Sequence, residues 1–295
     1  MIALTSEDLP FLNAFYGEEG GALLFEGAKI RGISPSSWIS AVKRHYKELS
    51  VYLGKSPEEI HQIFHESFGQ EAPGNVLRRG AKPRPERIIR AIWRRYESDA
   101  YLTRRHLIHF YGLSMGLLFS RTIQQVRERF RTDSKIRLLD AGCGNGEWMR
   151  RARTSLGNRC RIVGIDIGRS ILKFSRWVDR KRGVISGDAL RSDAEKLPFR
   201  GEMFDAICCF EVMEHLLSPR SALREFHRTL KPGGVLMLSW SSGDNLMSGH
   251  VSAAGPEEVR KALRNARFSV QRLEEVPEAQ TTYLEATKPL PKGKI

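Results

Sequence analysis

Two rhythms of apolar and polar positions divide this chain. Up to about Ser134 apolar residues recur at helical spacing, with no strand-turn-strand alternation, and breaks fall at Ser34-Pro35, Ser56-Pro57, Pro73-Gly74 and Lys82-Pro83-Arg84-Pro85. The pattern predicts a helical N-terminal region over residues 1–134. Ser56-Pro57-Glu58-Glu59 supplies an N-cap hydroxyl, a proline in the first turn and two acids facing the positive helix end, so it opens a helix and carries no chemistry. From Glu86 to Asp99, Ile88, Ile89, Ile92, Trp93 and Tyr96 make an apolar stripe while Arg87, Arg90, Arg94 and Arg95 fill the other faces. This basic amphipathic helix reads first as packing on a neighbouring domain; phosphate, RNA or membrane-surface contact is the alternative. In Tyr101 to Phe130 a second helical stretch carries Tyr101, His106, His109, Phe110, Tyr111 and Met115, of which we read most as core rather than pocket wall.

Beyond Ser134 short apolar runs alternate with helical patterns. Ile136 to Asp140, Arg161 to Asp166, Phe204 to Phe210 and Val235 to Trp240 read as strands, with another just before Asp193. Helices are expected near Glu147 to Leu156, Arg169 to Arg180, Pro219 to Leu230 and Pro256 to Asn265, and Phe268 to Leu273 with Thr282 to Ala286 as a closing hairpin. Residues 135–295 should therefore form a Rossmann-like α/β domain, a mostly parallel seven-stranded sheet with helices on both faces. Such sheets bind ligands at the carboxyl ends of their strands.

One motif stands at such an end. Leu138-Leu139-Asp140-Ala141-Gly142-Cys143-Gly144-Asn145-Gly146-Glu147 places an acid at a strand terminus, then three alternating glycines, then a helix start. Glycine permits a tight turn and close approach of a ligand to the backbone. The G-x-G-x-G spacing departs from the dinucleotide G-x-G-x-x-G, and Asp140 suits a cationic ligand better than a pyrophosphate. Further on come Ile162-Val163-Gly164-Ile165-Asp166, then Asp193-Ala194-Glu195-Lys196-Leu197-Pro198-Phe199, then Phe204 to Phe210 followed by Glu211-Val212-Met213-Glu214-His215, and finally Leu230-Lys231-Pro232-Gly233-Gly234.

In this order the motifs resemble the class I S-adenosylmethionine-dependent methyltransferase superfamily, in particular the group containing ubiquinone and menaquinone biosynthesis enzymes, over roughly Lys135 to Leu246. The resemblance implies S-adenosylmethionine as cofactor. It implies that the loop of Asp140, Gly142, Gly144 and Gly146 holds the methionine moiety, that Asp166 binds the ribose hydroxyls, and that Asp193 receives the adenine amino group. Ala194 and Phe210 join these as cofactor contacts. Asp188-Ala189 competes for the adenine role; the distance to Leu197-Pro198-Phe199 favours Asp193. The Lys231-Pro232-Gly233-Gly234 turn is architectural, reversing the chain before the next strand.

Just past the fourth motif, Glu211, Glu214 and His215 are the candidate catalytic residues, with His215 the best general base because an unperturbed imidazole titrates near neutrality. Packing against the cofactor pocket is an equal alternative for that histidine. The Glu-x-x-Glu-His spacing with His250 is also similar to metal-assisted superfamily members, yet many relatives carry the segment without a metal, so a divalent ion is the less favoured reading.

Composition narrows the partners. The formal charge of +14 biases the chain toward acidic partners, nucleic acid among them. The expected acceptor is nonetheless a small molecule, aromatic or quinone-like in type, with the N-terminal helices serving as substrate lid or interaction module. An RNA methyltransferase using the basic segment Arg78 to Arg105 is the runner-up, and a non-catalytic cofactor-binding scaffold the third reading. Four cysteines, two of them adjacent at Cys208 and Cys209 in an apolar run, read as buried strand residues rather than a disulfide or zinc framework. With no signal-peptide pattern at the N-terminus and no apolar run long enough to span a bilayer, a cytoplasmic location is expected.

Overall fold

The computed structural model describes residues 35–69, 97–111, 113–130, 135–241, 252, 254–276 and 281–291. Residues 86–96 of the expected basic helix from Glu86 to Asp99, His250, and the side chains of His109, Phe110, Tyr111 and Met115 lie outside what is described. The chain divides into two compact units, residues 1–69 with 99–118 and residues 70–98 with 119–295.

The described part of the first unit is helical. It contains α1 (Pro35–Leu53), α2 (Pro57–Gly69), α3 (Asp99–Tyr111) and the start of α4 (Leu113–Arg129). Each helix buries one stripe: His45, Tyr46, Glu48 and Leu49 on α1, Ile60 and Phe64 on α2, Leu102, Thr103, His106 and Leu107 on α3. These spacings follow the 3.6-residue period. Ser56 caps α2 as its sequence requires, for its backbone N–H donates to Glu59 Oε2 at 2.7 Å and Glu59 N–H returns to Ser56 Oγ at 3.2 Å.

The second unit is built on a seven-stranded sheet. Its elements are β1 (Ile136–Ala141), α5 (Glu147–Leu156), β2 (Cys160–Asp166), α6 (Arg169–Arg182), β3 (Asp188–Arg191), β4 (Phe204–Cys209), α7 (Pro219–Thr229), β5 (Leu230–Ser241), α8 (Pro256–Asn265), β6 (Ser269–Val276) and β7 (Thr281–Thr287). Strand order is β3-β2-β1-β4-β5-β7-β6. The first five run parallel, and β7 pairs antiparallel with both β5 and β6, which is the expected hairpin. In β1 and β2 nearly every residue is buried, as strands covered on both faces must be. The outer strands β3 and β6 carry charged residues, which discourages further pairing at the edges.

One detail corrects the sequence reading. Lys231-Pro232-Gly233-Gly234 does not precede the strand but forms an excursion within β5, because Leu230 pairs with Phe204 and Val235 already pairs with Ala206. Gly233 N–H donates to Lys288 O at 2.8 Å and Lys288 N–H to Gly234 O at 3.0 Å, so the chain after β7 supplies the excursion's backbone partners. All four cysteines are free and buried. Burial pushes the Cys160 thiol up to about 12 and raises Cys143, Cys208 and Cys209 well above the usual range, leaving them without nucleophilic thiolate at neutral pH. Among the described residues no helix is long and apolar enough to cross a membrane.

Candidate active site

Parallel pairing in register brings the chemistry to one edge. Asp140 pairs with Gly164 and Cys208, and Asp166 with Arg191, so β1, β2, β3 and β4 end together. Asp140, at 3 % exposure, and Asp166, at 8 %, are both buried there. The glycine loop turns back over this edge: Gly142 and Cys143 N–H both donate to Ile165 O at 2.8 Å, and Gly146 N–H to Cys143 O at 2.9 Å. Gly142, Gly144 and Gly146 have φ of +81°, +51° and +78°, a region that only glycine enters without strain. Space adds a second constraint at Gly142, where a Cβ would sit 2.2 Å from Val212 Cγ2.

Asp166 does local work as well. Its Oδ2 accepts the Gly144 N–H at 2.9 Å and its Oδ1 the Gly168 N–H at 2.8 Å, joining the glycine loop to the start of α6. A carboxylate is an acceptor only, so Asp166 suits hydroxyl donors. On the other side of the loop Arg150, 4 % exposed, donates to Asn145 O at 2.6 Å and reaches Asp179 at 2.9 Å and Glu147 at 3.4 Å. Asp193 lies exposed beyond the end of β3, its Oδ1 accepting the Glu195 N–H at 2.8 Å, while Ala194 is buried. The competing Asp188 sits inside β3, level with Val163, and its carboxylate lies 3.7 Å from Arg161.

The three acid-base candidates follow β4 but differ in setting. Phe210 is buried with its ring 5.9 Å from that of Phe119. Glu211 adopts φ +53°, rare for a side-chain-bearing residue, and is half-buried. Ser239 on β5 holds it there, accepting the Glu211 N–H and donating to Glu211 Oε1, both at 2.8 Å; Thr281 Oγ1 donates to the same oxygen at 3.2 Å. Glu214 is fully buried, and its Oε1 lies 3.9 Å from Nε2 of His215, whose side chain is 22 % exposed. Ser252 fixes this short helical turn, Met213–His215, by donating its N–H to Glu214 O and its hydroxyl to Leu216 O. The edge thus brings Asp140, Asp166, Asp193, Glu211 and His215 to consecutive strand ends, with Glu214 behind rather than at the surface.

Sequence reasoning missed Ser239, Thr281 and Glu97. Glu97 carboxylate oxygens accept the Arg169 N–H at 2.9 Å and the Ser170 N–H at 3.0 Å, capping α6 beside Asp166 from 72 positions upstream. Burial works to raise its carboxyl, but the hydrogen bonds from Ser170 and Arg169 and the charge of Arg191 outweigh it and hold the carboxyl below the usual range.

The strand order, the five parallel strands and the acid-ended loop define a class I, Rossmann-like nucleoside-cofactor fold. Residues 139–238 match the family described as methyltransferase domain. This part of the chain therefore belongs to the class I S-adenosylmethionine-dependent methyltransferases, a family that implies binding of that cofactor. The chain is 36 % identical over 128 residues to the ubiquinone biosynthesis O-methyltransferase of Ruegeria pomeroyi, a match covering 43 % of this chain and 50 % of that one. It is 32 % identical over 130 residues to the ubiquinone/menaquinone biosynthesis C-methyltransferase UbiE of Serratia proteamaculans, covering 42 % and 52 %. The matches thus span about half the length of these curated relatives. Among solved structures the [4+2]-cyclase SpnF superposes with a TM-score of 0.51 at 23 % identity, over 61 % of this chain and 83 % of that one. That likeness shows the fold alone.

Proposed function

We propose that this chain moves the methyl group of S-adenosylmethionine to a small-molecule acceptor of aromatic or quinone type. The observation that carries the cofactor side is the pair of buried carboxylates, Asp140 and Asp166, at neighbouring strand ends around a glycine loop. Two buried acids side by side repel a pyrophosphate and favour a ligand bearing an ammonium group, a sulfonium centre and ribose hydroxyls. The donor set fits the family's cofactor: Asp140 and the glycines for the methionine end, Asp166 for the ribose, Asp193 with Ala194 and Phe210 for the adenine.

When bound, that cofactor supplies an electrophilic methyl on sulfur. The residues then need to hold an acceptor in line, and orientation alone lowers such a barrier by about 7–11 kcal/mol. His215 takes the acceptor's proton if the nucleophile is a hydroxyl or an acidic carbon. Glu214, buried against it, is a positioning residue that favours the protonated imidazole. Glu211, held by Ser239 and Thr281, shapes the floor of the site.

The RNA reading leans on the basic surface, yet one cluster of arginines in the second unit is engaged internally. In a recess of about 660 Å³ lined by Arg127, Arg150, Arg151, Arg182, Glu128 and Glu147, three of the four arginines reach the Glu147 carboxylate, at 3.4, 3.0 and 3.5 Å. Internal pairing of this kind leaves less charge for phosphates. Transfer of labelled methyl from S-adenosylmethionine to a panel of quinols, catechols and phenols, run beside total cellular RNA, tests the proposal. Label in a phenolic product supports it; label in RNA alone, or cofactor binding with no label anywhere, overturns it in favour of the RNA enzyme or the scaffold.

A further inference from the structure

The helical unit gathers a group that methyl transfer does not use. His45 and Glu48 stand three residues apart on the buried stripe of α1, and His106 stands on that of α3; they are 1 %, 8 % and 0 % exposed. His106 Nε2 lies 3.1 Å from Glu48 Oε2, and the two imidazole rings are 4.4 Å apart between centroids. One possible ligand atom from each residue lies within 4.8 Å of the other two. The same stripes bury Tyr46, Leu49, Leu102 and Leu107, so the three polar groups have apolar neighbours along those helices.

Three features point to a cation. A carbonyl can only accept, so the 2.7 Å contact from His45 Nδ1 to Ala41 O puts the proton on Nδ1 and leaves Nε2 with its lone pair. A metal-bound histidine is held in this way, its second nitrogen donating to a backbone carbonyl. Thr103, three residues before His106 on the α3 stripe, buries a hydroxyl with no hydrogen-bond partner among the described residues, a place that a water on a bound ion would fill. Finally, a carboxylate and two imidazoles are costly to bury together, and a divalent ion answers all three at once.

We propose that His45, Glu48 and His106 form a zinc site that clamps α1 to α3. Two imidazole nitrogens and a carboxylate oxygen suit zinc, whereas calcium and magnesium take oxygen ligands. Bond lengths of about 2.0–2.2 Å require donors roughly 3.3 Å apart, and the His106–Glu48 pair is already that close. The second oxygen of Glu48 or a water completes the fourth position. This site lies in a different unit from the Glu211, Glu214 and His215 segment and does not rest on the methyl-transfer reading.

The full chain, purified without a histidine tag and stripped with a chelator, is titrated with Zn²⁺ against a chromophoric chelator and separately loaded with Co²⁺. The expected result is one zinc per chain, a cobalt spectrum of a four-coordinate nitrogen and oxygen site, and a rise in melting temperature on zinc binding. Glu48→Gln and His45→Gln should each weaken zinc binding by at least ~100-fold, more than the loss of an outer-shell partner usually does. Should either variant fail to fold, the wild-type titration and cobalt spectrum decide. No zinc uptake by folded wild-type chain, unchanged affinity in both folded variants, or a cobalt-to-sulfur charge-transfer band would overturn the site.

Discussion

The two units bury carboxylates by different means. At the sheet edge Asp166 is satisfied by backbone N–H groups of Gly144 and Gly168, donors that its own strand and the adjacent loop bring to it. In the helical unit Glu48 faces an imidazole that lies 58 positions away along the chain. Backbone donors fix an acid's place whatever the surrounding side chains, so the carboxylate at the edge is held in position before any ligand arrives. Side-chain partners fix it only if both helices pack, so the cluster there ties stability to a specific pairing or, as proposed, to an ion.

If the sheet edge is the reacting edge, His215→Gln should produce the largest loss. Steady-state turnover on an acceptor that must lose a proton is expected to fall about a hundred- to ten-thousand-fold while cofactor affinity stays within a factor of about two. An equal drop in both would make His215 a packing residue instead. Arg150→Leu comes next. It removes the buried guanidinium shared by Glu147 and Asp179 and the donor to Asn145 O, while Arg151 and Arg182 stay on Glu147 and Ser186 on Asp179, so urea unfolding should show a loss of about 1–3 kcal/mol. A loss below about 1 kcal/mol would mean that solvent replaces it easily.

Glycine provides the finest comparison between the units. Gly54, after α1, and Gly142 both have positive φ, +67° and +81°, yet nothing lies within 4 Å of a Cβ at Gly54 while Val212 fills that space at Gly142. Gly54→Ala should cost about 1–2 kcal/mol, the backbone penalty alone. Gly142→Ala should cost about 1–3 kcal/mol more by denaturant melts, and Val212→Ala in the same chain should restore part of that excess. Equal costs for the two glycines would show that Val212 yields without penalty.

How much of this was legible follows from sequence distance. Strands and helices of the second unit could be read because a parallel sheet demands unbroken apolar runs such as Ile162 to Ile165, and because each acid stands at the end of its own run. Ser56 could be read as a cap since its partner Glu59 is three residues on. Glu97 capping α6, Ser239 and Thr281 bracing Glu211, and His106 facing Glu48 could not, since each pairing spans 28 to 73 positions and exists only once helices and strands have packed. The Lys231 to Gly234 excursion misled for a related reason: its partner is Lys288, far along the chain. The sequence makes Glu214 a candidate catalytic residue beside His215, but the turn at Met213–His215 carries it inward, fully buried.

Central to the whole account is that the acid-ended glycine loop holds S-adenosylmethionine. Isothermal titration calorimetry of the full chain with that cofactor, on wild type and on Asp166→Ala checked for intact fold by circular dichroism, tests this most directly. Loss of two charge-assisted hydrogen bonds at about 1.5–3 kcal/mol each predicts micromolar-range binding by wild type, competed by S-adenosylhomocysteine, and at least a hundredfold weaker binding by the variant. Folded wild-type protein that gives no heat and no competition, or a folded variant that binds as well as wild type, would contradict it.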